Sequence, residues 1–530
     1  MGMHHQEMNT QGQLMNADHS SGTGLNSPRS SMLIEQSVIT RALFCQDIVE
    51  LIFDNLSLHS VIYDPSRGDN NRGLLHVEDQ CEKRRTLALA ARVSKHISEV
   101  ALSVLWAQLK GFRPLFRLLP QYSLHTWNIE GKPTDADWTR LEKYTRLVRE
   151  ICMFPMDSEG KCWEIFRARY RTIGHFLPRL MALATVRITP VDPLFDFHLL
   201  PPTLRHLSMA LYRPAFSPYN LDDSVLLTAA MEQLASAIPS LLSLKISDLS
   251  WETPQPEISW KMASFKFLRK LDITPHLTAD APILTTISQF QHLHALSVHI
   301  SADCAHLHGC FQALTELSIG GRAAHIQSFI TATSPPLLRS LSLFFLHDPS
   351  TEAILQCLSV VPSAVPTALT ALALECKLAL HPKIPAVMDV VQPMLAFRAL
   401  TRFTFSFKPL PSIGDDEIVT MLSAWPALNT LRIEHDYVEL PEIELLAMPT
   451  LDSLPSTLGK HPLRVLDLQS ECADRAACVR AAALVDRLFP SMVLPQLRGW
   501  TLDPLPDVGW VAVVDLLEEW REGRGTRALE

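Results

Sequence analysis

Histidine and cysteine side chains crowd into the segment HLHALSVHISADCAHLHGC, which spans residues 292–310. These side chains are His292, His294, His299, Cys304, His306, His308 and Cys310. Imidazole nitrogen and thiolate sulfur are the ligands that zinc prefers, so this segment is the strongest candidate for a metal site. Structural zinc sites usually pair their ligands as CxxC or HxxxH, and neither spacing occurs here. We therefore expect no metal, with the histidines lying on the surface and in loops.

The sequence also lacks the common signatures of catalysis and phosphate binding. It contains no GxSxG, no HExxH and no GxxxxGK, and no GxGxxG precedes a suitable acidic residue. A hydrolase built on an unfamiliar fold would need a nucleophile motif that is not present. The expectation is a binding protein that is not an enzyme and needs no cofactor.

Length, charge and cysteine usage narrow the class of protein further. The 530 residues carry a net charge of -9, so nucleic acid is not an expected partner. The ten cysteines form no CxxC pair, as expected for reduced thiols in the cytoplasm or nucleus. The chain starts without a secretory signal, and no window reaches the ~18 apolar residues of a membrane span. We expect an intracellular protein away from membranes.

A short apolar motif recurs along most of the chain. It has an apolar residue, two variable positions, a second apolar residue, one variable position and a third apolar residue. We call the three apolar positions the anchors. The first anchors are Val148, Leu183, Leu204, Leu241, Leu268, Leu293, Leu314, Leu338, Leu369, Leu400, Leu428, Leu463 and Leu497.

The intervals between these motifs have room for a turn and a helix. Several contain apolar helical runs, such as residues 224–238, 351–361 and 415–425. A proline stands near the end of each run, as at Pro362, where it is expected to stop the helix and start the next strand. Strand and helix repeated in this way indicate an α/β fold, a leucine-rich-repeat-like solenoid or horseshoe.

Alternate residues of a strand point to opposite faces, so the position between the second and third anchors faces away from the core. Small polar residues such as Ser342 fill most of these positions, with charges toward the two ends. The larger neighbours Phe344 and Arg402 would add affinity for a bound protein. An ordinary solvated sheet face is the alternative. The candidate client-binding residues are Lys245, Asp272, Ser342, Phe344, Arg402, Arg432 and Asp467.

The N-terminal part is organised differently. Residues 1–35 form a polar segment that predicts a disordered tail. Residues 40–120 hold two apolar helical runs, separated by a predicted loop insertion at 57–85. The solenoid is expected over 121–505, with a C-terminal cap helix and tail over 506–530.

The first helical run is apolar on nearly all sides. Val49 and Phe53 fall on one side, while Ile48, Leu51, Ile52 and Leu56 fall on the other. The second run, residues 86–109, places apolar residues at helical spacing and ends near Trp106. Two short helices cannot bury this much apolar surface between themselves, so another surface must cover them.

The module resembles an F-box. Its matching residues are Asp47-Ile48, Leu51-Ile52, Leu56, Leu89-Ala90, Val93-Ser94-Lys95, Ile97, Ala101 and Leu105-Trp106, followed by GFRPLFRLLP. Together with its repeats, the chain is similar to the F-box and leucine-rich-repeat-like proteins of basidiomycete fungi. Cys45-Gln46 stands in place of the family's Leu-Pro, and Ser94 in place of its Cys.

The resemblance implies a role in ubiquitin conjugation. An F-box docks on the Skp adaptor and, through it, on a cullin, so the chain would be the substrate receptor of a ubiquitin ligase. The solenoid would then hold an unknown protein client. The alternative is a leucine-rich-repeat scaffold whose degenerate F-box no longer binds the adaptor. The candidate adaptor-binding residues are Ile48, Leu51, Ile52, Leu56, Val93, Leu105 and Trp106.

Overall fold

A computed structural model of the chain describes most of the helical module and most of the repeats. The described residues are 45–56, 73–123, 125–126, 128–152, 160–188, 200–211, 223–248, 264–273, 278–346, 350–377, 386–408, 415–434 and 465–468. The predicted tail at 1–35, the repeat copy at Leu497 and the cap helix at 506–530 lie outside these residues.

Within the described residues, three helices form the N-terminal module. They are α1 (Gln46–Asn55), α2 (Gly73–Ala90) and α3 (Lys95–Ala107). They share a small core, separate from that of the repeats, whose buried members are Val49, Phe53, Leu87, Val100 and Ala101.

Two features of the module differ from the sequence-based expectation. The run over 86–109 is broken, because Ser94 caps α3 by accepting a hydrogen bond from the Ile97 N–H at 3.3 Å. The insertion expected as a loop over 57–85 is helical from Gly73 onward. The earlier part of that insertion lies outside the described residues.

A long sheet of parallel strands runs through the rest of the described chain. The strands are β1 Gln108–Leu109, β2 Tyr122–Ser123, β3 Asn128–Ile129, β4 Glu150–Ile151, β5 Ala182–Ile188, β6 His206–Leu211, β7 Ser243–Asp248, β8 Lys270–Ile273, β9 Thr278–Ala279, β10 Ala295–Ile300, β11 Glu316–Gly321, β12 Ser340–Leu346, β13 Ala371–Lys377, β14 Arg402–Lys408, β15 Thr430–Glu434 and β16 Val465–Leu468. Among these, β2 and β3 form an antiparallel pair. The others form a 14-stranded sheet in chain order, with β9 beside β10. This succession of parallel strands confirms the leucine-rich-repeat-like solenoid.

Helices and turns connect most of these strands. They are α4 Arg113–Phe116, α5 Asp135–Thr145, α6 Gly160–Ile173, α7 Asp223–Ala237, α8 Ala281–Ile287, α9 Ala323–Thr333, α10 Thr351–Ala364, α11 Val387–Val391, α12 Asp415–Ala424 and the 3-10 turns Ala305–Leu307 and Gln392–Ala396. None of the described helices is both long and apolar enough to cross a membrane.

Proline acts as predicted at some helix ends but not at Pro362. Helix α9 ends at Thr333, before Pro335, as expected. Helix α10 instead continues through Pro362 to Ala364. A proline in the last turn removes a single backbone hydrogen bond, and the helix still closes with the Val365 N–H donating to the Val361 carbonyl at 3.0 Å.

The anchors form one continuous core. In the copies from Leu204 to Leu428, every anchor is buried. The phase predicted at Leu183 is wrong, because Leu183 pairs with Leu207 and is a second anchor. The buried Leu180 takes the first place. A register shift between Leu183 and Val186 adds one residue to β5. The second and third anchors of this copy, Leu183 and Val186, are therefore three residues apart, which is the usual spacing of a first and a second anchor.

Neighbouring glycines at the end of β11 allow a stability test. Gly321 has φ +146°, and a Cβ there would lie 2.6 Å from the Ile300 carbonyl oxygen. A Cβ on Gly320 would instead lie 2.8 Å from His299 Nδ1. The imidazole of His299 can rotate away from such a Cβ, whereas the backbone carbonyl of Ile300 cannot. We expect Gly321→Ala to lower the free energy of unfolding by about 2 kcal/mol or more, and Gly320→Ala to cost clearly less. Urea titration of both variants measures this, and equal losses would contradict the strain assigned to Gly321.

Candidate interaction surfaces

Large apolar side chains are exposed mainly on the helical module. Within the described residues these exposed side chains are Ile48, Leu51, Ile52, Leu89 and Val93 on the module and Met181, Phe267 and Leu337 on the solenoid. The exposed fractions of Leu51 and Val93 reach 67% and 70%. We call Ile48, Leu51 and Ile52 the α1 face. Contiguous exposed apolar side chains of this kind mark interaction sites.

The α1 face exists because helix α1 is apolar on two sides. Val49 and Phe53 point inward, with exposed fractions of 2% and 7%. Ile48, Leu51 and Ile52 are spaced three and four residues apart, so they share the outer side. The small module core thus buries one side of this helix, while Ile48, Leu51 and Ile52 on the other side are exposed.

The remaining adaptor candidates lie elsewhere. Leu56 and Leu105 are partly buried and pack against the small module core. Trp106 packs against the core of the repeats, where its ring centroid lies 4.7 Å from that of Tyr144. Leu89 is among the residues that resemble an F-box but was not predicted to contact the adaptor, although more than half of it is exposed.

The module is joined directly to the first strand of the sheet. Helix α3 runs into β1 without a linker, since Gln108 follows its last residue. The guanidinium of Arg84 donates from Nη2 to the Gln108 carbonyl at 2.9 Å and so ties α2 to β1. Burial lowers the pKa of Arg84 and raises the pKa of the nearby Cys152 thiol to about 11. A partner on the α1 face would thus be held close to the start of the solenoid.

A second surface is the side of the sheet that alternates with the buried anchors, here called the sheet face. Strand register aligns its central row across successive strands, as the sequence predicted. The row consists of Ser208, Lys245, Asp272, Ser297, Ser318, Ser342, Ala373, Thr404, Arg432 and Asp467. Thr501, expected to extend it, lies outside the described residues. The centre of the sheet face, from Ser297 to Thr404, therefore presents small side chains in one line, with charged side chains on both sides of it.

Charges at the early end of this row are paired with each other. Lys245 Nζ lies 3.1 Å from the Asp272 carboxylate, and the two residues are neighbours in register. Asp272 is only 7% exposed, so its carboxylate depends on this ammonium. Lys245 thus has a structural task in addition to any role with a client. A charge reversal at Lys245 would place two carboxylates together and lower stability.

The other client candidates lie at the middle and the late end of the sheet face. Phe344 is half-buried between the fully buried Leu343 and Phe345, so its ring is on the sheet face. Arg402 is exposed, and Arg432 is half-buried beside Asp467 in register. Register therefore brings the candidates onto one surface but spreads them over many strands.

The histidine and cysteine side chains of residues 292–310 do not converge on one point; they contact different parts of the repeat. His294 comes directly before β10, with its Nδ1 3.0 Å from the Ala313 carbonyl oxygen, and His306 contacts the Thr285 hydroxyl at 3.1 Å. Burial raises the pKa of Cys304 to about 12, which keeps that thiol protonated. Within the described ranges, no group of three or more His, Cys, Asp or Glu side chains is placed to hold a metal ion.

His206, on β6, gives the early sheet face a pH dependence. Burial and the nearby Lys270 ammonium lower the pKa of His206. The unfolded chain then binds the proton more readily, so this contribution to stability is complete above about pH 6.5 and is lost as the pH falls. We expect the thermal midpoint of the wild type to fall more than that of His206→Gln between about pH 7.5 and pH 5.5. Parallel curves from thermal scans would contradict this assignment.

Comparison with known proteins gives likenesses among solved structures only. No family model matches the chain, and no curated protein does. The leucine-rich repeat-containing protein LegL7 from Legionella pneumophila is 13% identical with a TM-score of 0.32, over 62% of this chain and 96% of that one. A chain of the yeast complex of Rad7 and Elc1 is 13% identical with a TM-score of 0.33, over 79% of this chain and 98% of that one.

Proposed function

We propose that this chain is the substrate receptor of a Skp-cullin-F-box ubiquitin ligase. The helical module binds a Skp-type adaptor, the adaptor connects to a cullin, and the solenoid holds a protein client. The chain acts by binding and leaves the chemistry to other subunits. The proposed location is the cytoplasm or the nucleus, where such ligases assemble.

The α1 face carries this proposal. A helix with buried Val49 and Phe53 on one side and exposed Ile48, Leu51 and Ile52 on the other gains stability when a second apolar surface covers it. The position of this face agrees with the residues that resemble an F-box. The exposed Leu89 and Val93, at the end of α2 and in the turn after it, enlarge the apolar surface of the same module.

The sheet face supports the second half of the proposal. Its central row is mostly Ser, Ala and Thr. These small side chains leave room along the row for the backbone of a bound polypeptide. Polar and charged groups at a protein interface determine orientation and specificity more than raw affinity. A protein client is therefore a better match for this surface than a small molecule.

Co-purification with a Skp-type adaptor tests the proposal. The full chain is produced together with the adaptor and isolated through a tag on the chain. We expect a stoichiometric complex that survives gel filtration. Absence of the adaptor from a folded, monodisperse chain would favour the alternative, a scaffold that no longer binds it.

A further inference from the structure

The residue directly after the first anchor of each repeat lies at the edge where the parallel strands begin. Its carbonyl accepts two hydrogen bonds from the next repeat, as the Arg269 carbonyl does from the His294 and Ala295 N–H groups at 2.8 and 3.0 Å. The same contacts recur from the repeat of Val148 to that of Leu428, so these residues form one row. We call this row, together with the two residues before each first anchor, the amino edge.

Positive charge dominates the amino edge. With Leu180 as the first anchor of its repeat, none of these positions from the repeat of Val148 to that of Leu428 holds Asp or Glu. The row itself contains Arg149, Arg205, Arg269 and Arg339. The two positions before each first anchor add Arg146, Arg179, Lys266 and Arg398. The whole chain carries a net charge of -9, so this concentration of cations is local.

Few acidic side chains lie next to the amino edge. Along the chain the nearest are Glu142 in α5, Glu150 at the start of β4 and Glu316 at the start of β11. Asp272, further along β8, is already paired with the Lys245 ammonium at 3.1 Å. These carboxylates are fewer than the cations of the edge, which therefore keeps a positive balance in the described part of the chain.

Three of the four arginines in the row are exposed. Arg149, Arg269 and Arg339 are the exposed ones, and none of them forms an ion pair within the residues that the structure describes. Arg205 is half-buried and donates from Nη1 to the Ser240 carbonyl at 2.9 Å. That contact fixes the guanidinium but does not compensate its charge, because a backbone carbonyl is neutral.

His206 indicates the sign of the charge beside the row. It begins β6, and burial together with the Lys270 ammonium lowers its pKa. Lys270 begins β8, two strands away, and follows Arg269 directly. Cations held close together in this way repel one another, so an anion that lies along the row is favoured.

We propose that the amino edge binds an acidic, extended segment of the protein client. The segment crosses the strands along the row, and its carboxylates form ion pairs with Arg205, Arg269 and Arg339. Guanidinium and carboxylate groups match in shape and can form two parallel hydrogen bonds. This inference rests on the proposed function only in taking the bound segment to be a client.

Spacing along the row favours a polypeptide. Arg205 and Arg269 precede strands β6 and β8, which are two strands apart, so they are separated by about 10 Å. An extended polypeptide advances about 10 Å in three residues, so acidic side chains at every third position match this separation. A nucleic acid is charged along its whole length, and a chain with a net charge of -9 repels it more strongly than a short acidic segment.

A labelled peptide of repeated Glu-Gly-Ser tests the inference against the full-length chain. Fluorescence anisotropy at low salt should show saturable binding that added salt weakens. We expect Arg269→Gln with Arg339→Gln to raise the dissociation constant about tenfold, because two exposed ion pairs are lost. Arg269→Lys with Arg339→Lys keeps both charges and should raise it about threefold or less.

Arg92→Gln with Arg322→Gln is the matched control, because it removes the same charge from two exposed arginines away from the amino edge. Arg92 lies in the turn between α2 and α3, and Arg322 directly follows β11 at the opposite edge of the sheet. This control should bind the peptide as the wild type does, and a Lys-Gly-Ser peptide should not bind. Thermal unfolding of each variant verifies that it is folded.

Three results would overturn the inference of a peptide site. They are absence of saturable binding, unchanged affinity in the variant Arg269→Gln with Arg339→Gln, and equal weakening by the control variant. A single-stranded DNA oligonucleotide of equal charge is the competing ligand. Tighter binding of this DNA through the same two arginines would also overturn the inference, since the edge would then be a nucleic-acid site.

Adaptor co-purification separates this outcome from that of the proposed function. A chain that binds the acidic peptide through Arg269 and Arg339 but never binds the adaptor would retain the anion site and lose the ligase role. A chain that binds the adaptor but ignores the peptide would do the reverse. Arg269→Gln with Arg339→Gln should leave adaptor binding unchanged, since these residues precede β8 and β12 in the solenoid and the α1 face belongs to the helical module.

Discussion

Replacing Leu51 and Ile52 together with aspartate is expected to abolish co-purification with a Skp-type adaptor while the solenoid stays folded. Both side chains are exposed in the free chain, so the charges meet water there and cost little stability. In a complex they would be buried without a partner, which costs several kcal/mol and suffices to dissociate it. Co-expression, affinity isolation and gel filtration measure the loss, and circular dichroism verifies the fold.

Two exposed apolar residues of the solenoid provide the matched control for this double variant. Phe267 and Leu337 are exposed to 56% and 57%, close to the exposure of Leu51 and Ile52, but lie at the starts of repeats. Phe267→Asp with Leu337→Asp removes a comparable apolar area and adds the same charge. The adaptor should remain bound to this control. Retention of the adaptor by the Leu51→Asp, Ile52→Asp chain would rule out the α1 face as the docking surface.

The repeat anchors were predictable because their burial follows from spacing along one strand. Leu341 and Leu343 are two residues apart with Ser342 between them, and alternation alone assigns the leucines to the core and the serine to the sheet face. The same rule gave the central row of the sheet face. Register between parallel strands then follows from stacking like anchors on like anchors.

Elements that break the local pattern were not predictable in this way. The extra residue of β5 shifts the apparent motif at Leu183, and only pairing with Leu207 reveals it. Helix α2 begins in a segment that mixes charged and apolar residues without a clear apolar side, so periodicity did not indicate it. The Lys245–Asp272 ion pair joins residues 27 positions apart (272 − 245) and needed the strand register.

The exposure of the candidate surface residues was likewise predictable where it follows from local spacing and not where it depends on tertiary contacts. The sequence separated Val49 and Phe53 from Ile48, Leu51, Ile52 and Leu56 by helical geometry, and burial agrees with that division except at Leu56, which is partly buried against the module core. It could not separate exposed from packed residues at the end of the module, because their burial depends on contacts with the first repeats of the solenoid. Trp106 packs on Tyr144 of the solenoid, while Leu89 is exposed.

Leu317→Ala is expected to lower the free energy of unfolding by about 2 to 5 kcal/mol, because it deletes a large side chain from a packed row. Leu317 is 2% exposed and lies in register between Leu296 and Leu341, themselves buried anchors of the two adjacent repeats. The cavity is thus enclosed from both sides and cannot collapse without moving neighbouring strands. Urea titration followed by circular dichroism gives the shift in midpoint.

Two polar neighbours in the same repeat are the controls for this loss. The Thr315 hydroxyl donates to the His294 carbonyl at 3.1 Å in an exposed position, so Thr315→Ala should cost about 0.5 to 1 kcal/mol. Ser318 comes directly after Leu317 and is half-buried on the sheet face, so Ser318→Ala should cost about 0.5 kcal/mol or less. The expected order of midpoints is Ser318→Ala, then Thr315→Ala, then Leu317→Ala as the lowest. Equal midpoints for all three would mean that the second anchor of this repeat does not belong to the core that holds adjacent strands together.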